Sequence, residues 1–469
     1  MTGERPAVSE PAVHLLIVNG DIVTMDPLRR VLVGGAVAVA GERIAAVGST
    51  SELCARWPQA RRVDAAGGVV TPGLVNAHQH ITGDPLARSC TPDDLEPGRS
   101  IFEWSVPLHA NHTGDDDELC AQLTSADSAL NGVTTIVEAG TIAFPDRVAE
   151  GIRRVGVRAT IGTWGWDIDS APFAAPAAEV LDRQRAVLDA LPPGGSITGW
   201  VTLVGHGLAS DELLSGAAAL ARERGVGMTM HLSPTSSDPE VYLARCGRRP
   251  VVHLDALGVL GRHLLLAHGV WFDDEEVELV LTSGTAIANC PWAYLRHGQG
   301  TTGHGRHADM FLRGGRIALG CDATNAGDQF DILRAAALTA GLAKDVRADP
   351  TWFGAHEAFE MATIRGAEAL GMSDDIGSLE TGKFADLVIH DATAPAWNPR
   401  GETALQLVWS ADGRTVRDVF VAGRDVVRDR RCVTVDLAAL HREAAVAAPA
   451  LFGRAGIELQ HRWPHIPSM

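Results

Sequence analysis

Apolar positions along the chain fall into two textures. Over the first 70 residues they come as short runs broken by turns. Leu15-Leu16-Ile17-Val18 leads into Asn19-Gly20, a dipeptide suited to a tight turn, and Asp21-Ile22-Val23-Thr24-Met25 follows. Gly35-Ala36-Val37-Ala38-Val39 and Arg43-Ile44-Ala45-Ala46-Val47 are placed to pair across a turn at Gly41. The same texture returns in Ala385-Asp386-Leu387-Val388-Ile389, in Val416-Arg417-Asp418-Val419-Phe420-Val421 and in Val426-Val427. Two β-rich blocks at opposite ends of the chain predict one small β-sandwich.

Between them, continuous apolar runs begin near Val69, Val133, Ala159, Ile197, Gly227, Leu264, Thr285 and Ile317. Helical stretches over 116–131, 146–155, 177–191, 211–224, 274–282 and 328–342 separate most of them. Eight buried strands with helical crossovers predict an α/β fold whose parallel sheet is covered on both faces. Eight in particular suggests a closed TIM-like (β/α)8 barrel. The rival, an open doubly wound sheet, would carry a GxGxxG after its first strand, and none stands there. The expected organisation is a sandwich from 1–70 and 377–435, a barrel over 71–376 and a helical tail over 436–469.

The 469 residues carry a formal net charge of −18, from 40 Lys and Arg against 58 Asp and Glu. A protein that binds phosphate backbones carries a basic surface, so nucleic acid and anionic membrane are not expected partners. The seven cysteines are odd in number and never spaced as CxxC, which argues against a disulfide framework or a cysteine-type zinc site. Met1 to Pro11 has no basic-then-apolar leader pattern, and no run approaches 18 apolar residues. A cytoplasmic protein acting on a small molecule is expected.

The chemistry gathers where the barrel strands end. Pro72-Gly73-Leu74-Val75-Asn76-Ala77-His78-Gln79-His80 closes the first barrel run, and residues two apart on a strand point the same way. His78 and His80 can therefore reach one barrel mouth together. His231 ends the fifth run, His268 the sixth and Asp322 the eighth. A lone His-x-His means little, but polar residues closing four strands at the catalytic face of a barrel suit a metal such as zinc, iron or cobalt.

These residues resemble the amidohydrolase superfamily, in its single-metal branch of cytosine and guanine deaminases and triazine hydrolases. Leu16-Ile17-Val18-Asn19-Gly20 through Met25-Asp26 resembles the family's opening strands, Gly132-Val133-Thr134-Thr135 its second-strand motif, and Gly377-Ser378-Leu379-Glu380-Thr381-Gly382-Lys383-Phe384-Ala385-Asp386-Leu387-Val388 its return into the sandwich. The resemblance implies that His78, His80, His231 and Asp322 bind one divalent ion (zinc first, with iron, cobalt or manganese as alternatives). It also implies that His268 and Asp322 are catalytic, and that the protein is a homo-oligomer. Binuclear relatives bridge two metals with a fourth-strand lysine. Here Lys344 and Lys383 are the only lysines, and both lie beyond Asp322.

The chain departs from the pattern at one point. Related deaminases carry H-x-x-E from the strand-five histidine, and the glutamate moves protons; here the run is His231-Leu232-Ser233-Pro234. Proline transfers no proton, so the expected reaction is hydrolysis of a C–N bond at a carbonyl, in an amide, urea or carbamate. Within the superfamily this resembles the branch acting on phenylurea and thiocarbamate compounds. The alternatives are an aminohydrolase or chlorohydrolase acting on a heteroaromatic ring, with Glu240 as a possible replacement for the glutamate, and a metal-free assembly protein on the same fold. His206, Asn289, Trp104 and His109 are expected to contact substrate, with His112 beside them. Glu138 is expected to be structural. The glycine-rich stretch holding His297, His304 and His307 reads as a surface loop, with a lid or second metal site as the alternative.

Overall fold

A computed structural model describes residues 12–466 apart from 84, 169, 170, 324, 325, 328 and 465. Among these, eight strands surround a central core: β1 (Leu74–Gln79), β2 (Val133–Glu138), β3 (Arg158–Ile161), β4 (Ile197–Gly199 and Val201–Gly205), β5 (Met228–Leu232), β6 (Leu264–His268), β7 (Ala286–Asn289) and β8 (Arg316–Leu319). All neighbouring pairs are parallel. The strands are short and almost wholly buried, as expected where helices cover one face and packed side chains the other. β4 is interrupted at Trp200: its first part pairs with β3 and its second with β5, so this strand hands the ring from one sheet to the next. The ring closes between β1 and β8, where the N–H groups of Cys321 and Asp322 both donate to the His78 carbonyl (3.2 and 2.9 Å).

The second unit is a nine-stranded sheet built from both chain ends, and it takes in Val13–Val23, Val31–Ala40, Leu387–His390 and Val416–Val421. One buried cluster draws Leu15, Ile17, Val37, Ile389 and Phe420 together, so neither end could bury its apolar face alone. The run at Val69 departs from expectation. Gly73 divides it: Val69–Pro72 joins this sheet beside Val13–Val23 and Leu387–His390, and the barrel starts at Leu74. A Cβ at position 73 would stand 2.0 Å from Thr134 Oγ1, so only glycine fits at the divide.

Five helices bear on the site: α1 (Gly114–Leu130), α2 (Ser237–Cys246), α3 (Pro291–Arg296), α4 (His307–Leu312) and α5 (Ile332–Arg347). The last helix, α6 (Leu437–Ala455), lays Leu440 and Leu451 against Leu86, Trp104, Leu108 and Leu119. No helix among the described residues is long and apolar enough to cross a membrane.

Several buried imidazoles make this fold acid-sensitive, and His390 is one that lies away from the barrel mouth. His390, at the end of its sheet strand, sets Nδ1 2.9 Å from Thr415 Oγ1, and burial pushes its pKa down to about 4. The unfolded chain, with an ordinary imidazole pKa of about 6.5, therefore takes up a proton that the folded chain refuses. Stability contributed by the neutral ring is lost as pH falls from about 6.5 through about 4. Between pH 7 and pH 5 we expect this group to cost about 2 kcal/mol in urea unfolding. His390→Asn should remove about that share of the slope; an unchanged slope would show that His390 contributes none of it.

Candidate active site

The barrel mouth is built by strand ends that leave regular geometry. His206, Ser233, His268 and Asp322 follow or close strands with φ of +52°, +52°, +82° and +65°. This left-handed region is costly for residues with a Cβ, and it turns the His206, His268 and Asp322 side chains out of strand alternation toward a common centre. Two buried amides stitch β1 to β8 at the same level. Asn76 Oδ1 accepts from the Cys321 N–H (3.1 Å), Asn76 Nδ2 donates to Gln79 Oε1 (3.0 Å), and Gln79 Nε2 donates to the Asp322 carbonyl. At Gly320 a Cβ would lie 2.9 Å from His78 Cβ and 2.8 Å from Cys290 Sγ. We expect Gly320→Ala to push His78 aside and cost at least tenfold in kcat/KM, with circular dichroism unchanged. Wild-type turnover in that variant would mean that His78 can shift freely.

The five residues that the sequence singled out converge. His80 Nε2 is 3.1 Å from His231 Nε2 and 3.3 Å from Asp322 Oδ1, while His78 Nε2 is 3.5 Å from the same oxygen. His268 Nε2 stands 4.0 Å from Asp322 Oδ2. Their tautomers follow from their outer partners. His231 Nδ1 lies 2.6 Å from the Val204 carbonyl, which only accepts, so Nδ1 holds the hydrogen and Nε2 a lone pair. His80 Nδ1 meets Thr141 Oγ1 at 3.0 Å, and that hydroxyl donates to Glu138 Oε1 at 3.1 Å, so His80 Nε2 also carries a lone pair. Two lone pairs facing each other at 3.1 Å repel unless a cation lies between them. A tetrahedral ion with bonds of about 2.0–2.1 Å separates its ligand atoms by roughly 3.3 Å, and the observed 3.1, 3.3 and 3.5 Å bracket that value. His78 adds two buried ring nitrogens without a hydrogen bond. The donor set fits one divalent ion.

The electrostatics agree. Burial, reinforced by neighbouring imidazoles, holds His231 well below the ordinary histidine range. Burial also lowers His78 and holds His268 well below that range, against the opposing pull of Asp322. All three are neutral near pH 7, the state that ligates or accepts a proton. Burial alone would raise Asp322, but His78 and His80 outweigh it and hold the carboxyl well below its usual range.

The other expected contacts divide. His206 is brought in, its ring stacked on His231 with centroids 5.1 Å apart. His109 lies behind His80 and edge-on to Trp164, with centroids 6.4 and 5.5 Å away. Trp104 is instead sealed among Leu86, Leu108 and the α6 leucines, so its expected role as a substrate contact gives way to packing. Asn289 turns from the mouth and donates to Thr339 Oγ1 on α5 (3.0 Å), while its neighbour Cys290 faces His78 and Asp322. Burial pushes the Cys290 thiol well up, which keeps it protonated. Glu138 accepts from the Gly140 and Thr141 N–H groups and so sits behind His80, as a structural residue should. His112 pairs with Asp117 at 2.8 Å.

The stretch from His297 to His307 is not an open loop. Thr301–His304 is helical, His304 stacks on Trp271 at 3.6 Å, and His307 begins α4. His307 Nε2 donates to the His268 carbonyl (2.6 Å), and burial pushes its pKa down to about 4. His297 is half-buried, held down by burial within reach of the Asp322 charge. None of these three belongs to a metal-type cluster among the described residues. Glu240 is exposed on α2 and cannot stand in for the missing glutamate. The buried carboxylate nearby is Asp238, which no motif marked. It accepts from the Ser233 N–H (2.7 Å) and lies 3.3 Å from His206 Nδ1.

Comparison with known proteins adds independent evidence. The model of the amidohydrolase family matches residues 69–426, and that of a bacterial imidazolonepropionase-like composite domain matches 35–60. A 5-methylthioadenosine/S-adenosylhomocysteine deaminase from Syntrophobacter fumaroxidans is 33% identical over 90% of this chain and 95% of its own. A 5'-deoxyadenosine deaminase from Methanopyrus kandleri is 30% identical over 90% of this chain and 96% of its own. Among solved structures, a zinc-bound adenosine deaminase from Xanthomonas campestris superposes with a TM-score of 0.89 at 28% identity, over 95% of this chain and 99% of that one. The zinc-bound atrazine chlorohydrolase of Arthrobacter aurescens, at 23% identity, TM-score 0.85 and coverage of 93% and 100%, shares the fold.

Proposed function

Because the chain belongs to the amidohydrolase family, in which metal-dependent hydrolases act on C–N bonds, we propose that it is a single-metal aminohydrolase replacing a ring amine of an adenosine-type nucleoside by oxygen. The observation that carries this reading is the similarity of nine tenths of the chain to deaminases of such nucleosides. The site supports it by offering one compact donor set and no lysine for a second metal.

His78, His80, His231 and Asp322 would hold the ion, zinc by analogy with the relatives. Such an ion would supply a bound water that is nucleophilic near neutral pH. The chain's own residues do the rest. His268 and Asp322, 4.0 Å apart, orient the attacking water between them, and Asp322 Oδ2 accepts its proton. The ring carbon, having gained oxygen, must expel ammonia, and the departing nitrogen needs a proton. Pro234 has none to give, so Asp322 passes the proton it accepted to the ring nitrogen and then relays the added hydroxyl's own proton to the departing amine, leaving a ring carbonyl and ammonia.

A second reading, hydrolysis of an amide, urea or carbamate, is favoured by Pro234 itself, because a carbonyl substrate needs no proton on a ring nitrogen. Product identity separates the two. With 5'-deoxyadenosine in ¹⁸O-water, the first reading expects free ammonia and one ¹⁸O at the former amine position. Cleavage of N-aryl ureas with every ring amine left intact would replace it with the second.

A further inference from the structure

The mouth holds one polar pair that the proposed chemistry leaves idle. β4 ends at Gly205, and His206 follows in a left-handed conformation that swings its ring beside His231. The side chain is 18% exposed, so one edge faces the mouth. The other edge is turned away: Nδ1 lies 3.3 and 3.4 Å from the two oxygens of Asp238, which is itself buried at the start of α2. Ser233, also left-handed, aims its N–H at Asp238 Oδ2 from 2.7 Å and so fixes the carboxylate. Two strained residues are thus spent on holding one carboxylate against one imidazole edge. His206 Nε2 has no hydrogen-bond partner among the described residues.

We propose that Asp238 is a positioning residue that fixes the tautomer of His206, so that the mouth presents a lone pair at Nε2 and selects substrates placing an N–H or O–H donor there. A carboxylate only accepts, so Nδ1 must carry the hydrogen, and a neutral ring then leaves Nε2 as an acceptor. With Pro234 where relatives carry a glutamate, no side chain at that position can supply the opposite polarity. An amine, an amide N–H or a sugar hydroxyl satisfies the lone pair. A carbonyl or bare ring nitrogen at the same place meets it as a second acceptor and is disfavoured. The inference rests on the reading of this mouth as the active site, but its first test does not depend on turnover.

That test is the ring's tautomer. In zinc-loaded protein with ¹³C-labelled histidine, the Cδ2 resonance that disappears in His206→Gln should carry the shift of an Nδ1–H ring. In Asp238→Asn the side-chain carbonyl takes the shorter bond from the Ser233 N–H, and its NH₂ then donates to His206 Nδ1. The ring should switch to Nε2–H, the logic by which an Asp-to-Asn change at a histidine imposes the wrong tautomer. Retained zinc would show that the variant is folded. The KM for 5'-deoxyadenosine should rise about tenfold in this variant, the worth of one reversed hydrogen bond. Asp238→Glu should restore the wild-type tautomer. An Nε2–H ring in the wild type overturns the proposal, as does an unchanged KM in Asp238→Asn. Failure of the chain to release ammonia from any nucleoside would instead count against the proposed reaction, and the resonance would still decide the tautomer.

Discussion

Asp322→Ala should retain less than about a tenth of the bound metal and lose about 10⁴-fold or more in turnover. Removing an outer partner of a metal site typically costs about 10–100-fold. Asp322 is not outer: Oδ1 closes the donor set with His78 and His80 at 3.5 and 3.3 Å, and Oδ2 faces His268. Its loss removes a ligand and a proton carrier together. It also leaves His78, already buried with unpartnered ring nitrogens, with nothing to offset its burial. His78→Ala should lose metal to a similar degree but only one of the two functions. Plasma emission analysis of freshly purified protein gives the metal content directly. Full metal in Asp322→Ala would remove the carboxylate from the donor set.

His268→Asn should behave differently, keeping the metal while turnover falls by roughly 10²–10⁴, the usual worth of a positioned acid–base group. The ring is set by its backbone rather than by a ligand. Its carbonyl accepts from His307 Nε2 at 2.6 Å, and its φ of +82° points the imidazole into the mouth. Asparagine tolerates that φ better than most residues, so the backbone should stay in place. Loss of metal along with activity would move His268 into the donor set, where its distance to His78 and His231 also allows it.

Much of this arrangement is legible in the sequence, because barrel strands buried on both faces appear as continuous apolar runs and their last residues appear as polar interruptions. His78, His80, His231, His268 and Asp322 stand out for that reason. Parity fails where the backbone leaves the strand. Asn289 was expected at the mouth, yet Cys290 takes that direction and Asn289 bonds to α5. Gly73 looks like part of one long strand, because the atom that forces the break, Thr134 Oγ1, lies far along the chain. Asp238 carries no signal in its spacing from His231, since the turn through Ser233 sets its position. Trp104, in the helical segment after the first barrel strand, could cover either a substrate or a neighbouring helix, and only the placement of α6 decides between them. The glycines around His304 suggest a loop, but Trp271 and Tyr294 give that stretch aromatic surfaces to pack on. The reaction class was the least legible part. Pro234 alone argues for a carbonyl substrate, whereas similarity over nine tenths of the chain argues for a ring amine.

One ion, held by His78, His80, His231 and Asp322, should drive ammonia release from an adenosine-type amine. Metal-free protein should be titrated with zinc while ammonia release from 5'-deoxyadenosine is followed. Ammonia release should rise linearly and break at one ion per chain. A break at two ions, or no ammonia at any zinc level, would contradict it.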